Sequence, residues 1–374
     1  MINIATIKKF NFVQLAVFLS ALLFILLLYN TLYTINLSSE YKNKIEIAKE
    51  EARPSNLEII QLYKSNCKDC FDIIPIIDNL KSGNVNIVKE EKLSLDETKD
   101  LISKYSIEKL PAIIIKGEIN KTRFSEEYVK FDDAVVFKGQ TPVYFDVKLN
   151  KLVGLVKATI INPLNCENCF DVESILKQIE SLKVNIENKE ILNENEAANL
   201  IKKYNIKKLP VLILSNDFSY YPSSNLIWEK LAGEITEGKE YLLRESLPPY
   251  KDLEEKKVRG LVDVKFIKDS SCTECYNVLV HKNILKNFGI TPVSEETIEI
   301  SSKEGQDLKS KYSITKVPTI IVSSEAEVYP SFKDIFIQVG TKETDSNYIF
   351  RKTELMGVYK DLEKNQVIKP KENK

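Results

Sequence analysis

Apolar and charged positions divide this chain into zones. No charged residue occurs from Phe10 to Ser39, and the apolar core FVQLAVFLSALLFILLLYNTLY, Phe12 to Tyr33, is 22 residues long. As a helix it can cross roughly 30 Å of hydrocarbon. The charged segment from Ser38 to Ser55 reads as a stalk, helical until Pro54, because a proline pushes the residue before it out of the helical region. Beyond the stalk the periodicity changes. Leu57 to Tyr63 predicts an aliphatic strand, and Phe71 to Leu80 has the spacing of an amphipathic helix. Asn86 to Val88 predicts a second strand. The segment DETKDLISKYSI predicts a second helix, capped by Asp96, with Leu101, Ile102 and Tyr105 on one face. The β-branched run after Pro111, AIII, suits a buried central strand.

This pattern repeats. Tyr105-Ser-Ile-Glu-Lys-Leu-Pro111 recurs as Tyr204-Asn-Ile-Lys-Lys-Leu-Pro210 and Tyr312-Ser-Ile-Thr-Lys-Val-Pro318, leading into AIII, VLIL and TIIV. Each copy closes on a similar tail, PVYFDVKLNKLVGLV from Pro142, PPYKDLEEKKVRGLV from Pro248 and GVYKDLEKNQVI from Gly357. The period is about 100 residues, so a whole supersecondary unit is repeated. Tyr221-Pro222-Ser223 and Tyr329-Pro330-Ser331 match each other, whereas the first copy has no counterpart. The expected organisation is a tail (1–11), a membrane span (12–35), a stalk (36–55) and three domains at 56–152, 153–260 and 261–374.

Charge narrows the function. The 53 Lys and Arg against 54 Asp and Glu, with no block of one sign, leave no electrostatic footprint for nucleic acid. Lys8 and Lys9 before the span favour a cytoplasmic N-terminus, although Lys42, Lys44 and Lys49 follow it. A cleaved signal peptide is the competing reading, but the apolar stretch is longer than the usual core of one, and NLSSEYK lacks a clear small-residue cleavage site.

All six cysteines lie beyond the span, as Cys67-Lys68-Asp69-Cys70, Cys166-Glu167-Asn168-Cys169 and Cys272-Thr273-Glu274-Cys275, each followed by an aromatic residue, Phe71, Phe170 or Tyr276. From the first cysteine to the shared proline is 44, 44 and 46 residues. Two cysteines so spaced across a helix start can close a local disulfide, the first sulfur being the more exposed. Cys67, Cys166 and Cys272 are therefore the candidate nucleophiles, and Cys70, Cys169 and Cys275 the resolving partners. The unpaired N–H groups and positive dipole end of a helix N-terminus favour thiolate. The loop carboxylates Asp69, Glu167 and Glu274 oppose it, which predicts weakly activated, comparatively reducing pairs.

Strand, helix, strand, helix, proline, strand, with a Cys-x-x-Cys at the first helix, resembles the thioredoxin fold. The resemblance runs from residue 56 onward and implies an α/β class: three tandem thioredoxin-like domains, each a mixed sheet flanked by helices, behind one transmembrane helix. It implies that Leu110-Pro111, Leu209-Pro210 and Val317-Pro318 are cis peptides beside the cysteine pairs, forming substrate-binding loops. Pro75 looks like the proline that kinks the family's active-site helix, while Ser174 and Val280 stand there in the other copies. The function implied is thiol–disulfide oxidoreduction or isomerisation of extracytoplasmic proteins by a single-pass membrane protein, needing no cofactor and no metal. Substrates are protein thiols or disulfides; the direction of exchange is open. The chain departs from the family with Asn66, Asn165 and Ser271 where it has Trp, no Gly-Pro between the cysteines, and Gln61, Ile160 and Phe266 at the position of the buried acid six residues before the first cysteine.

Three other readings stand beside this one. The pairs can be structural disulfides of a non-catalytic scaffold. Each is half of a four-ligand zinc site, or a seat for a soft ion such as Cu(I). His281, the chain's one histidine, reads as a surface residue, with approach to the third pair as the lesser alternative. Tyr220, Tyr221 and Trp228 read as core rather than a substrate patch.

Overall fold

The computed structural model describes residues 12–244 and 246–369. They form two compact units, one running to Gln140 with Tyr144–Lys151, the other comprising Thr141–Val143 and the chain from Leu152 on. Lys8 and Lys9, on which the expected orientation rests, lie outside the described residues.

In the first unit, α1 (Phe12–Ala52) is one helix of 41 residues that carries the apolar stretch and the stalk without a break. It stops where Pro54 stops it. Its side chains Phe18, Leu23, Phe24 and Ile25 are exposed, and by length and composition it is able to cross a membrane. At its end Arg53 donates to Glu50 (2.8 Å) and to Glu118 (2.7 Å), Lys121 reaches Glu50 (2.6 Å), and Glu118 accepts the Asn56 N–H (2.8 Å). These contacts clamp the helix to the first strand.

There follow β1 (Ser55–Tyr63), α2 (Ile74–Lys81), β2 (Val85–Ser94), α3 (Lys99–Lys104), β3 (Lys109–Leu110), β4 (Ala112–Gly117), β5 (Tyr128–Lys130), β6 (Ala134–Phe137) and β7 (Tyr144–Asp146). Strands β1 and β2 are parallel, which a tight turn cannot join, and α2 is the crossover. Antiparallel pairing of β1 with β4 and of β4 with β6 gives the order β2-β1-β4-β6-β5. The second unit builds this order twice more. Val156–Asn162 lies between its parallel neighbour Ile186–Asn193 and antiparallel Val211–Leu214; Asp263–Lys268 lies likewise between Ser294–Glu299 and Thr319–Val322. The central runs AIII, VLIL and TIIV are buried throughout, as strands covered on both faces must be. The chain thus has the expected α/β class, with three mixed sheets flanked by helices behind a long apolar helix.

Several local expectations change. Strand β2 is far longer than Asn86–Val88, because its charged half is a sheet edge that solvates its side chains on the way to Ser94. Asp96 does not cap the second helix: it lies inside a 3-10 turn whose N-cap is Ser94, with N–H and hydroxyl both meeting Glu97 in a capping box (2.8 and 2.7 Å), and the helix itself follows Thr98. A 3-10 turn, Leu95–Glu97, precedes α3, and Tyr105 beyond it is fully buried. Trp228 and Tyr221 are core, Trp228 packing edge-on against Phe218 and Tyr241 with its indole N–H on the Glu234 carbonyl (2.9 Å); Tyr220 is half-buried.

The tails have a defined place. Strand β3 pairs with β7, Lys208-Leu209 with Tyr250–Asp252, and Lys316-Val317 with Tyr359–Asp361, so each tail lies along the two residues that precede or include the step to the shared proline. The Tyr-Pro-Ser tyrosines hold the glycines that end the preceding tails. Tyr221 donates to the Gly154 carbonyl (2.7 Å) and accepts the Asn185 N–H (2.8 Å); Tyr329 donates to Gly260 (2.8 Å). An acid seven residues after the shared proline takes an N–H at each entry: Glu118 from Asn56, Asp217 from Gly154 (3.0 Å) and Glu325 from Gly260 (2.6 Å).

Tyr221→Phe removes a hydroxyl that serves two buried backbone groups, and leaving them unpaired costs about 1–3 kcal/mol. A urea titration followed by the fluorescence of Trp228 should show the corresponding loss as a lower midpoint.

Candidate functional site

The three pairs are closed as disulfides, Cys67–Cys70, Cys166–Cys169 and Cys272–Cys275, each with Cα atoms 5.4 Å apart. They sit in irregular loops after the first strand of each sheet. Asn66 and Asn165, directly before the first cysteine, turn the chain through positive φ (66° and 59°), a conformation that Asn tolerates better than most side chains. This accounts for Asn at these two positions.

The cysteines do not open the helices, contrary to the expectation from spacing. Helix α2 begins at Ile74, the second helix at Val172, and the third starts as a 3-10 turn at Val278 leading into His281–Asn287. The cause is a side chain two residues past the second cysteine. Asp72 accepts the Ile74 N–H (2.9 Å), Asp171 those of Glu173 and Ser174 (2.9 and 3.3 Å), and Asn277 that of Leu279 (3.0 Å). Asp171 caps its helix, Asn277 caps the 3-10 turn and Asp72 takes the one N–H of Ile74, and each removes a donor that a thiolate would otherwise have used. Nothing in the apolar periodicity marks Asp72, Asp171 and Asn277; their recurrence at one spacing is the signal that could have found them. Pro75 falls in the first turn of α2, where a missing N–H costs nothing, and does not kink it.

The shared prolines lie with the pairs. Leu110-Pro111, Leu209-Pro210 and Val317-Pro318 are cis peptides. In the first repeat Cys67, Cys70 and Pro111 line one groove of about 390 Å³, and the Cys70 sulfur lies 3.9 Å from the Leu110 carbonyl oxygen. The proline carbonyl is held each time: by the buried Gln140 amide on Pro111 (3.0 Å), by the Ser246 hydroxyl on Pro210 and by the Tyr276 hydroxyl on Pro318 (2.7 Å). In the second unit the tails also hold the cysteine loops, with the Phe170 N–H on Pro249 (2.7 Å) and the Tyr276 N–H on Val358 (2.8 Å).

The surroundings of the pairs differ. Gln61, beneath the first, is buried and donates to Glu90 (2.7 Å), so a carboxylate stands one hydrogen bond beyond the position of the family's acid. Ile160 and Phe266 at that position are fully buried. Both sulfurs of the first two pairs are half-buried, but Cys272, expected to be the exposed member of its pair, is 8% exposed. Beside it Lys360 bridges Asp269 (2.7 Å) and the Ser271 hydroxyl (3.0 Å). Burial opposes ionisation of Asp269, but Lys360 and Ser271 outweigh it and hold the carboxyl below its usual range. Glu274 pairs with Lys369.

His281 is buried, not on the surface. It is 2% exposed, packs edge-on against Phe350 and places Nε2 3.1 Å from the Tyr276 hydroxyl. Tyr276, next to Cys275, therefore links the third pair, the Pro318 carbonyl and the histidine. Burial also raises the Tyr276 hydroxyl well above its ordinary value.

No family model matches the chain, and no curated protein does. Among solved structures it is similar to the N-terminal domain of the alkylhydroperoxide reductase AhpF from Enterococcus faecalis, at 13% identity over 47% of this chain and 89% of that one, with a TM-score of 0.14. It is also similar to ERdj5 (12% identity, 74% of this chain, 39% of that one, TM-score 0.15) and to human ERp44 (11%, 83% and 95%, TM-score 0.14).

Burial lowers the His281 imidazole from 6.5 to about 4. The unfolded chain gains this proton below about pH 6.5, the folded one only below about 4, so stability is lost as pH falls through that window, by roughly 3 kcal/mol at most. Amide protection of Thr319–Val322 in the full chain should drop between pH 7 and 5, and His281→Phe should flatten the drop. Equal protection at both pH values would contradict a neutral buried imidazole.

Proposed function

We propose that this chain exchanges thiols and disulfides with protein substrates, Cys67–Cys70 being the foremost reactive pair, and that α1 holds it in a membrane with the cysteine-bearing part on the extracytoplasmic side. The observation that carries the reading is the groove of about 390 Å³ that brings both sulfurs of the first pair to Pro111. An open groove beside a local disulfide lets a second sulfur approach, which a buried structural bridge does not. The side of the membrane follows from redox chemistry, since disulfides persist in oxidising compartments.

The exchange balances without a cofactor. A substrate thiolate attacks the Cys67 sulfur, and Cys70 leaves as thiolate and takes up a proton. The second substrate thiolate then attacks the same mixed disulfide and frees Cys67. The substrate loses two electrons and gains a disulfide while the chain gains two thiols; the reverse sequence reduces a substrate. Leu110-Pro111, Leu209-Pro210 and Val317-Pro318 are the segments against which a substrate strand would lie. With the Ile74 N–H already taken by Asp72, thiolate stabilisation in the first repeat falls largely to neighbouring side chains.

The third pair favours a different role. Cys272 is buried, and its N–H is held by the carbonyl of Asp269, whose side chain pairs with Lys360, which suits a structural bridge, or one opened only by a strong reductant.

Equilibrating the full chain in detergent with glutathione buffers, then alkylating and mapping each cysteine by mass, tests both statements. Cys67–Cys70 should open at the highest potential and Cys272–Cys275 at the lowest, and Cys67→Ser should abolish insulin reduction by the first pair. Three pairs that all stay closed far below about −300 mV would overturn the exchange reading. Stoichiometric zinc or copper in protein purified reduced and without oxygen would replace it with metal handling.

A further inference from the structure

We infer that the first pair is built for disulfides and dithiols flanked by carboxylates, so that its substrate is an acidic polypeptide segment; this rests on the exchange reading above. The groove holding Cys67, Cys70 and Pro111 is lined by three lysines, Lys64, Lys68 and Lys92, and by one acid, Asp72. That acid is turned to the backbone, accepting the Ile74 N–H (2.9 Å). Lys64 lies over the Phe145 ring (5.2 Å) and Lys92 over Tyr63 (4.9 Å). Aromatic faces seat an ammonium without cancelling its charge. No ion pair of Lys64, Lys68 or Lys92 occurs among the described residues.

The other two sites serve as internal controls, because the tail lysine of each is paired with an acid. The tail residue opposite the shared Leu or Val is Phe145 in the first repeat, Lys251 in the second and Lys360 in the third. Lys251 is held by Glu194 and Lys360 by Asp269, both at 2.7 Å. Asp269 itself occupies the place of Lys64, three residues before the first cysteine, where the second repeat has Pro163. The third repeat therefore pairs an acid with a tail lysine where the first sets a lysine on a tail phenylalanine. Within the loops, Lys68 stands where the others have Glu167 and Thr273. The outcome is that the first site, with Lys64, Lys68 and Lys92 against Asp69 and Asp72, keeps a net positive charge around the reactive sulfurs, whereas the tail lysines of the other two are paired.

Such a field attracts anionic partners and favours the thiolate forms through which exchange proceeds. A carboxylate within two or three residues of the substrate cysteine can meet Lys64 or Lys92 while the sulfurs approach. Each such exposed pair is modest and is screened by salt.

The test uses the full oxidised chain in detergent and an excess of short peptide dithiols that differ only in having Glu, Gln or Lys beside their cysteines. Opening of each pair is trapped by alkylation and read by mass. At low salt the Glu peptide should open Cys67–Cys70 roughly three- to tenfold faster than the Lys peptide. The ratio should fall toward one at about 1 M salt, where the screening length is about 3 Å. It should also fall toward one in the Lys64→Gln, Lys92→Gln double variant, and Cys166–Cys169 should show no such preference in either protein. Opening of the first pair at equal rates by all three peptides overturns the charge selectivity and leaves exchange standing. A first pair that no peptide opens, in conditions where the glutathione titration also leaves it closed, overturns both.

Discussion

A cysteine loop that leaves its sulfurs accessible must still find partners for its backbone N–H and carbonyl groups, because buried unpaired peptide groups cost as much as lost hydrogen bonds. In this chain the partner is the tail. The short strand before each shared proline pairs with a tail strand, and in the second unit the residue after the second cysteine donates to a tail carbonyl. Sulfur loop, proline and tail thus form one hydrogen-bonded assembly outside the five-stranded sheet. The sheet can be conserved in order while the assembly varies in charge, as the contrast between Lys64 over Phe145 and Asp269 against Lys360 shows.

The repeat boundaries obey a similar logic. Gly154 and Gly260 adopt φ of +88°, and each has both backbone polar groups taken by the following repeat, the N–H by an acid and the carbonyl by a Tyr-Pro-Ser tyrosine. The first repeat follows a helix instead of a tail, so it has nothing for such a tyrosine to hold. There Glu118, at the acid's position, works with Arg53 and the Asn56 N–H. The missing motif in the first copy has a physical cause.

Much of this was legible in the chain. Aliphatic runs such as Leu57–Tyr63 and AIII announce buried strands, and three cysteine pairs at matched distances from three prolines announce a shared site. What escaped is governed by polar side chains acting on the backbone. Apolar periodicity extends the first helix back to Phe71, but Asp72 decides that it starts at Ile74. Asp96 is a good cap by type, yet Ser94 with Glu97 makes the reciprocal box. His281 reads as a surface residue by its polar type, but Tyr276 and Phe350 pack against it and it is buried. Charge compensation around the pairs was also hidden, since Lys251 and Glu194 are far apart in sequence and meet only through the fold.

The unbroken helix α1 has a mechanical meaning. After its apolar half, Thr34 to Ala52 adds 19 residues of helix, about 28 Å at 1.5 Å per residue. The Arg53, Glu50, Glu118 and Lys121 contacts then weld its end to β1. A flexible tether would let the first disulfide sweep a volume; a welded rod gives it a stand-off height and a bearing. Whatever grips the apolar end therefore also sets the height and the bearing at which the first groove stands.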